Sequence, residues 1–275
     1  MIASLHEVLL AAKHSNQAVA GLVCLGWEDM RAYVRAAEIE NLSVILQAGP
    51  SCRRHTPLTV LGPMMRHLAE QASVPVVVHL DHGESIEVCR QAIDAGFSSV
   101  MYDGSRLCLA ENIETTHSVV NLAHQYGISV EGEIGFVGYA AGEMSAMTDP
   151  VEAATFATET RIDAMAVSVG NVHLQVDTET TLDEQVINRI QELTDTPLVI
   201  HGGSGVSRTQ RARLAATSNI CKYNIGTELR TFFGSELREV LVNAPELFDR
   251  IKILEQVESR MVEAARSVLR SLSND

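Results

Sequence analysis

The chain has 275 residues, 46% apolar and 20% charged, with a mean hydropathy of +0.07, enough for a full globular core. A formal net charge of −14 and a pI near 5.1 leave no basic stripe for nucleic acid or an anionic membrane surface. No apolar run reaches membrane-spanning length, and the opening residues Met1 to Glu7 carry no basic, then apolar, leader pattern.

Cys24, Cys52, Cys89, Cys108 and Cys221 are odd in number and contain no CxxC pair, so reduced thiols and a cytoplasmic location are expected. An acidic surface does not attract phosphate esters at long range. Any phosphate site must be built locally, from backbone N–H groups, hydroxyls and a few cations.

The first helix is read over Ser4 to Lys13, with Ser4 as N-cap and Glu7 completing a capping box. Strand one is Ala18–Leu25, followed by a helix from Glu28 to Glu40, and strand two is Ser43–Gln47, ending in Ala48-Gly49-Pro50-Ser51. A helix over Leu58–Gln71 leads to strand three, Pro75–Leu80, and a helix over Glu84–Ala95 stopped by Gly96. Strand four, Ser98–Tyr102, precedes a helix over Cys108–Gln125, and strand five, Ile128–Val130, runs into Glu131-Gly132-Glu133. Gly135–Thr148 has no clear period and reads as a long loop of the kind that forms lids.

The next helix starts at Asp149-Pro150, an N-cap followed by a first-turn proline. Strand six is Ala164–Val169, then come a helix over Leu182–Leu193 and strand seven, Pro197–Ile200. A helix over Arg208–Ala216, strand eight, Ile220–Tyr223, and a helix over Glu228–Val242 complete the alternation, and a further helix spans Pro245–Leu272. Eight strands alternating with helices through short connections predict one domain over 1–275, a (β/α)8 TIM barrel with an extra N-terminal helix and a C-terminal helical arm. A doubly wound sheet is the alternative, because strand count alone does not prove closure.

The residues just past the strands are Ser51, Asp81 and His82, Asp103, Glu131 and Glu133, His173, His201 and Asn224. In a barrel they converge on one mouth. His82, His173 and His201 would offer three neutral nitrogens to a zinc ion with an open position. Asp103 and Glu133 would hold a second metal position or orient the histidines. A single strand-end histidine is more often a structural hydrogen-bonder; six such residues at one rim argue for a site. His6, His14, His55, His67, His117 and His124 fall in helices or the loop before the second barrel helix and read as solvated.

His201-Gly-Gly-Ser-Gly205 and Asn224-Ile-Gly-Thr227 follow strands seven and eight, the usual phosphate position on this fold. Glycines let N–H groups approach an anion, and Ser204 and Thr227 add hydroxyl donors.

With these motifs the chain resembles the class II (zinc-dependent) ketose-bisphosphate aldolases, the fructose- and tagatose-bisphosphate group. The resemblance spans nearly the whole chain, through HLDH at 79–82, SVMYDGS at 99–105, SVEGEIG at 129–135, AVSVGNVH at 166–173, HGGSG at 201–205 and KYNIGTEL at 222–229. It implies His82, His173 and His201 as zinc ligands, Asp81 as general acid/base, and Asp103 and Glu133 at a second metal position. It also implies that Gly202, Ser204, Asn224 and Thr227 contact the dihydroxyacetone phosphate half of a sugar phosphate. The implied cofactor is Zn2+, with or without a monovalent cation, and the implied assembly is a homodimer or higher homo-oligomer using the C-terminal arm.

The chain departs from that pattern at four places. Gly21-Leu22-Val23 replaces an AFN-like triplet in strand one, and Leu174 replaces the glycine after the second zinc histidine. Gly138-Tyr139-Ala140-Ala141 stands where the lid often carries acidic residues, leaving Glu143 as the substitute for the second proton transfer. Gly226 replaces an Asp or Ala before the threonine. The expectation is reversible aldol cleavage of a ketose (bis)phosphate. Related zinc enediolate chemistry, as an aldolase or an epimerase, on a sugar with one phosphate or none is the first alternative, and a non-catalytic aldolase-like subunit is the second.

Overall fold

A computed structural model describes residues 1–140, 142, 144–175 and 180–273. Helix α1 (Leu5–His14) opens the chain, and Ser4 and Glu7 form the expected capping box. There follow β1 (Val19–Val23), α2 (Trp27–Glu40), β2 (Val44–Ala48), α3 (Pro50–His55), α4 (Leu58–Gln71), β3 (Val76–Gly83), α5 (Ile86–Asp94) and β4 (Ser99–Tyr102). The second half runs α6 (Leu109–His124), β5 (Ser129–Ile134), α7 (Pro150–Thr160), β6 (Ala164–Val167), α8 (Glu184–Leu193), β7 (Leu198–Ile200), α9 (Arg208–Thr217), β8 (Ile220–Ile225), α10 (Thr227–Asn243) and α11 (Arg250–Arg270). A 3-10 turn, Gly203–Gly205, follows β7.

All eight strands pair in parallel in sequence order, and β8 pairs with β1, so the barrel is closed and the doubly wound alternative is excluded. Alternation decides which side chains face inward. On β3, Val77 belongs to the small inner core, while Val76, Val78 and Leu80 pack toward the helices. Leu5 and Leu9 of α1, both fully buried, join Val19, Ile45, Val77, Met101 and Val199 in that inner core. α1 therefore plugs one end of the barrel with apolar side chains.

Several element boundaries differ from the sequence reading. α3 was not anticipated, although Gly49 before a first-turn Pro50 is a helix-start signal. β3, β5 and β8 run past their expected ends because residues beyond them still pair with neighbouring strands, as Gly83 does with Tyr102 across a register shift and Gly132 does with Tyr102 and Met165. The last helix begins at Arg250, where the Asp249 carboxylate accepts the Ile251 and Lys252 N–H groups, and not at Pro245. It packs on the barrel: Val257, Met261, Ala265 and Val268 are buried, and Arg266 pairs with Glu40 of α2 at 2.5 Å. No helix among the described residues is long and apolar enough to cross a membrane.

Candidate active site

The open end of the barrel carries the polar chemistry. Three tiers of inward-facing residues lead up to it. Above the apolar plug lies a buried ionic tier, and above that the cavity.

In the ionic tier, Lys222 of β8 donates to Glu131 of β5 at 2.6 Å and lies 3.4 Å from His79 Nε2 of β3. His79 Nδ1 meets Ser99 Oγ at 2.9 Å. All four side chains are buried. Burial would raise Glu131, but the Lys222 cation and the His201 hydrogen bond hold it well below its ordinary value. His79 is driven down to about 3 by burial and then by Lys222, so it is neutral at physiological pH. The sequence places Glu131 at the rim and His79 in the HLDH stretch, but gives no role to Lys222 and does not join the three. An inward-facing lysine opposite an inward-facing glutamate was the available signal.

Above this tier the three expected histidines come together. Ring centroids lie 4.6 Å apart for His82 and His201, 5.3 Å for His82 and His173, and 5.8 Å for His173 and His201. One ligand-type nitrogen of each lies within 4.8 Å of the others. His201 Nε2 is engaged by Glu131 Oε1 at 3.0 Å, which leaves Nδ1 buried with no hydrogen-bond partner. His173 Nε2 is buried and unpartnered too. Buried polar atoms are nearly always satisfied, so two orphaned imidazole nitrogens in one cluster fit a cation that the protein atoms alone do not supply.

His82, Asp103 and Glu133 form a second group with ligand atoms within 4.8 Å. His82 Nδ1 binds Asp103 Oδ2 at 2.7 Å, and Glu133 Oε2 is buried without a partner.

The charges are strongly coupled. Burial opposes a charge on His82, but Asp81 and the Asp103 hydrogen bond outweigh it and lift His82 to about 10. Burial and the His82 charge depress His173 to about 3. Burial, then the Asp103 charge, pushes Glu133 well up. Burial also disfavours the Asp81 carboxylate, yet His82, His201 and Lys222 together hold it below its ordinary value. Asp81 is therefore an ionised acceptor.

A cavity of about 290 Å³ opens over this cluster, lined by Asp81, His82, His173, Gly202, Ser204, Asn224 and Thr227 among others. His201 is completely buried beneath it. Asn224 Nδ2 donates to Asp81 Oδ1 at 3.2 Å, so this side chain reaches the expected acid/base. Ser204 Oγ accepts the N–H groups of Gly226 and Glu228, each at 3.2 Å, capping the first turn of α10. Gly202 sits at φ +64, and a Cβ there would lie 2.2 Å from the Val172 carbonyl oxygen. Leu174, also on the cavity wall, takes φ +56, so leucine holds a backbone conformation that favours glycine. Glu143 lies outside the described residues.

Three further wall residues were not anticipated. Arg54 extends from α3, Arg230 lies one turn past Thr227, and Tyr139 stacks on His173 at 5.0 Å between ring centroids. The i, i+3 spacing from Thr227 was the usable signal for Arg230.

Fold and site together define a (β/α)8-barrel enzyme with two candidate metal-holding groups beside a glycine-rich loop. The sequence model of the class II fructose-bisphosphate aldolases matches residues 3–275, and the chain belongs to that family of lyases. It is 37% identical over 261 residues to a fructose-bisphosphate aldolase of Geobacillus stearothermophilus, covering 92% of this chain and 90% of that protein. A fructose-bisphosphate aldolase of Staphylococcus aureus strain Mu50 is 34% identical over 278 residues, covering 98% and 96%. The crystal structure of the YdjI aldolase from Escherichia coli K12 superposes with a TM-score of 0.87 at 29% identity, covering 100% and 98%.

Proposed function

We propose that this aldolase cleaves a ketose bisphosphate reversibly to dihydroxyacetone phosphate and an aldehyde. The observation that carries the reading is the pair of buried, unpartnered nitrogens on His173 and His201 beside the ionised Asp81. His82, His173 and His201 would hold the metal, and Asp103 and Glu133 flank it as a second position. A divalent cation there, zinc by family, supplies Lewis-acid polarisation of the substrate carbonyl.

Asp81 accepts the proton of the substrate hydroxyl as the carbon–carbon bond breaks and returns it in the condensation direction. The Asn224 amide fixes one oxygen of that carboxylate and leaves the other facing the cavity side of Gly49. Gly202, the Ser204 and Thr227 hydroxyls and the first turn of α10 receive a phosphate, where the helix dipole favours an anion. Tyr139 and Leu174 line the mouth.

Proton exchange at dihydroxyacetone phosphate in D2O, followed by NMR on zinc-loaded protein, tests this. Exchange is expected, and Asp81→Ala, lacking the base for the substrate hydroxyl, is expected to lose about 10² to 10⁴ in the rate of ketose bisphosphate cleavage. No exchange with metal bound would sink the claim on the phosphorylated triose.

A second reading, a sugar with one phosphate or none, is favoured by the apolar Val23 and Leu174 on the wall. Equal kcat/KM for phosphorylated and unphosphorylated sugars would select it. The non-catalytic reading finds no support in an intact three-histidine cluster.

Exposed Phe248, Val242 and Ile251 beside α10 and α11 support a homo-oligomer. Five free cysteines, four of them buried, support a cytoplasmic setting. Helices α1 and α11 packed on one closed barrel support a single domain over 1–275.

A further inference from the structure

Asp81 and His82 sit on backbone that the sheet does not hold. Neither has a paired residue on β2 or β4, and the register of β3 against β4 shifts between Leu80 and Gly83. His82 takes φ +50, a region disfavoured for any residue bearing a Cβ. Something outside the ladder must keep this turn in one conformation.

Asn224 and Asp103 tie the two side chains, and the group that ties the two main-chain carbonyls is the guanidinium of Arg53 on α3. Its Nη1 donates to the Asp81 carbonyl at 2.6 Å, and its Nη2 donates to the His82 carbonyl at 3.1 Å. Nη1 also lies 3.4 Å from the Ala48 carbonyl at the end of β2. The Arg53 side chain is 9% exposed, and its outward edge meets Glu84, whose side chain is 68% exposed. The pair with Glu84 is solvent-screened; the contacts to the two carbonyls are sheltered.

We infer that Arg53 is a positioning residue of the metal and proton-transfer site, holding Asp81 and His82 in register through their main-chain carbonyls. The inference rests on the metal-aldolase reading above. Arginine suits the task because its planar fork bonds two carbonyls at once, which a lysine ammonium on a flexible stem does not reproduce. The same short helix carries Ser51 and Arg54 on the cavity wall. Arg53 therefore bolts a substrate-facing helix to the strand end that bears the acid/base and one metal ligand.

The test is Co2+ binding, read by affinity and by the visible absorption spectrum of the bound ion, on wild type, Arg53→Ala, Arg53→Lys and Glu84→Gln. Loss of an outer-shell partner typically weakens metal binding 10- to 100-fold. That loss and an altered spectrum are expected for both Arg53 variants, with kcat falling more than KM rises. Guanidinium ion below denaturing concentration is expected to restore part of the Arg53→Ala loss, and Glu84→Gln is expected to behave as wild type. Wild-type affinity and spectrum in Arg53→Ala, even with a lowered melting temperature, would overturn the inference. Should that variant not fold, the same outcome in Arg53→Lys would overturn it. Wild-type protein that takes up no Co2+ overturns the metal reading itself, and this is seen before any variant is made.

Discussion

The two ends of the barrel are built on opposite principles. At the plugged end, Leu5 and Leu9 meet Ile45, Val77 and Val199 with no polar group among them. At the open end, His173 Nε2, His201 Nδ1 and Glu133 Oε2 are buried without partners, and His82 and Leu174 hold left-handed backbone. The first arrangement contributes stability; the second gives some up to keep ligand-ready groups in place. Between them the Lys222–Glu131–His79 tier is polar but satisfied, and Glu131 passes its influence upward through His201. The comparison teaches that disruption should move from stability toward chemistry as it climbs the barrel.

Lys222→Met attacks the tier and should have the largest effect. It leaves the Glu131 charge buried without its cation, at a cost of about 3–5 kcal/mol by urea unfolding. Adding Glu131→Gln should recover much of that cost. An unfolding midpoint unchanged by Lys222→Met would show the tier contributes little.

Leu9→Ala at the plugged end should cost about 3 kcal/mol and leave a cavity, because Leu9 is fully buried. Metal affinity and kcat of the folded fraction should stay at wild-type values. A change in either would mean the two ends are coupled.

The pH response separates the tier further. His79 is held at about 3 against an ordinary value of 6.5. As pH falls below 6.5 the unfolded chain takes up a proton that the folded protein refuses, so wild type loses stability from this group, roughly 2 kcal/mol by pH 5. His79→Gln lacks that liability. Whatever its deficit in melting free energy at pH 7.5, the deficit should shrink on acidification. A constant difference across this range would show that His79 is not buried as a neutral ring.

The smallest effect belongs to the mouth. Leu174→Gly relieves a left-handed leucine that is 49% exposed, and should stabilise by up to about 1 kcal/mol. A wider mouth should also raise KM for the sugar. Destabilisation by Leu174→Gly would mean the apolar wall outweighs the backbone strain.

Much of this was legible in the sequence. Alternating apolar segments at short spacing identified eight strands and their order, and polar residues closing those strands identified the mouth. His82, His173, His201 and Asp81 could be read because strand ends in a parallel α/β chain point one way whatever the closure. Ser4 and Asp149 were readable as caps because a cap is decided within three residues. Two residues of the expected site have further partners in space that the sequence did not indicate: Asn224 holds Asp81, and the Ser204 hydroxyl caps α10.

The sequence by itself determined local periodicity, the caps and the residue types that reach the mouth, since these depend on neighbours a few positions away. Only the tertiary structure decided which inward residue meets which. Lys222 meets Glu131 across 91 positions, and Asn224 meets Asp81 across 143. Arg53 finds the Asp81 carbonyl through a helix whose six residues are too few for a period to appear. Period-two alternation says that a side chain points into the barrel. Strand tilt and stagger on closure set the height at which it stands and the partner opposite, and that is a property of all eight strands together.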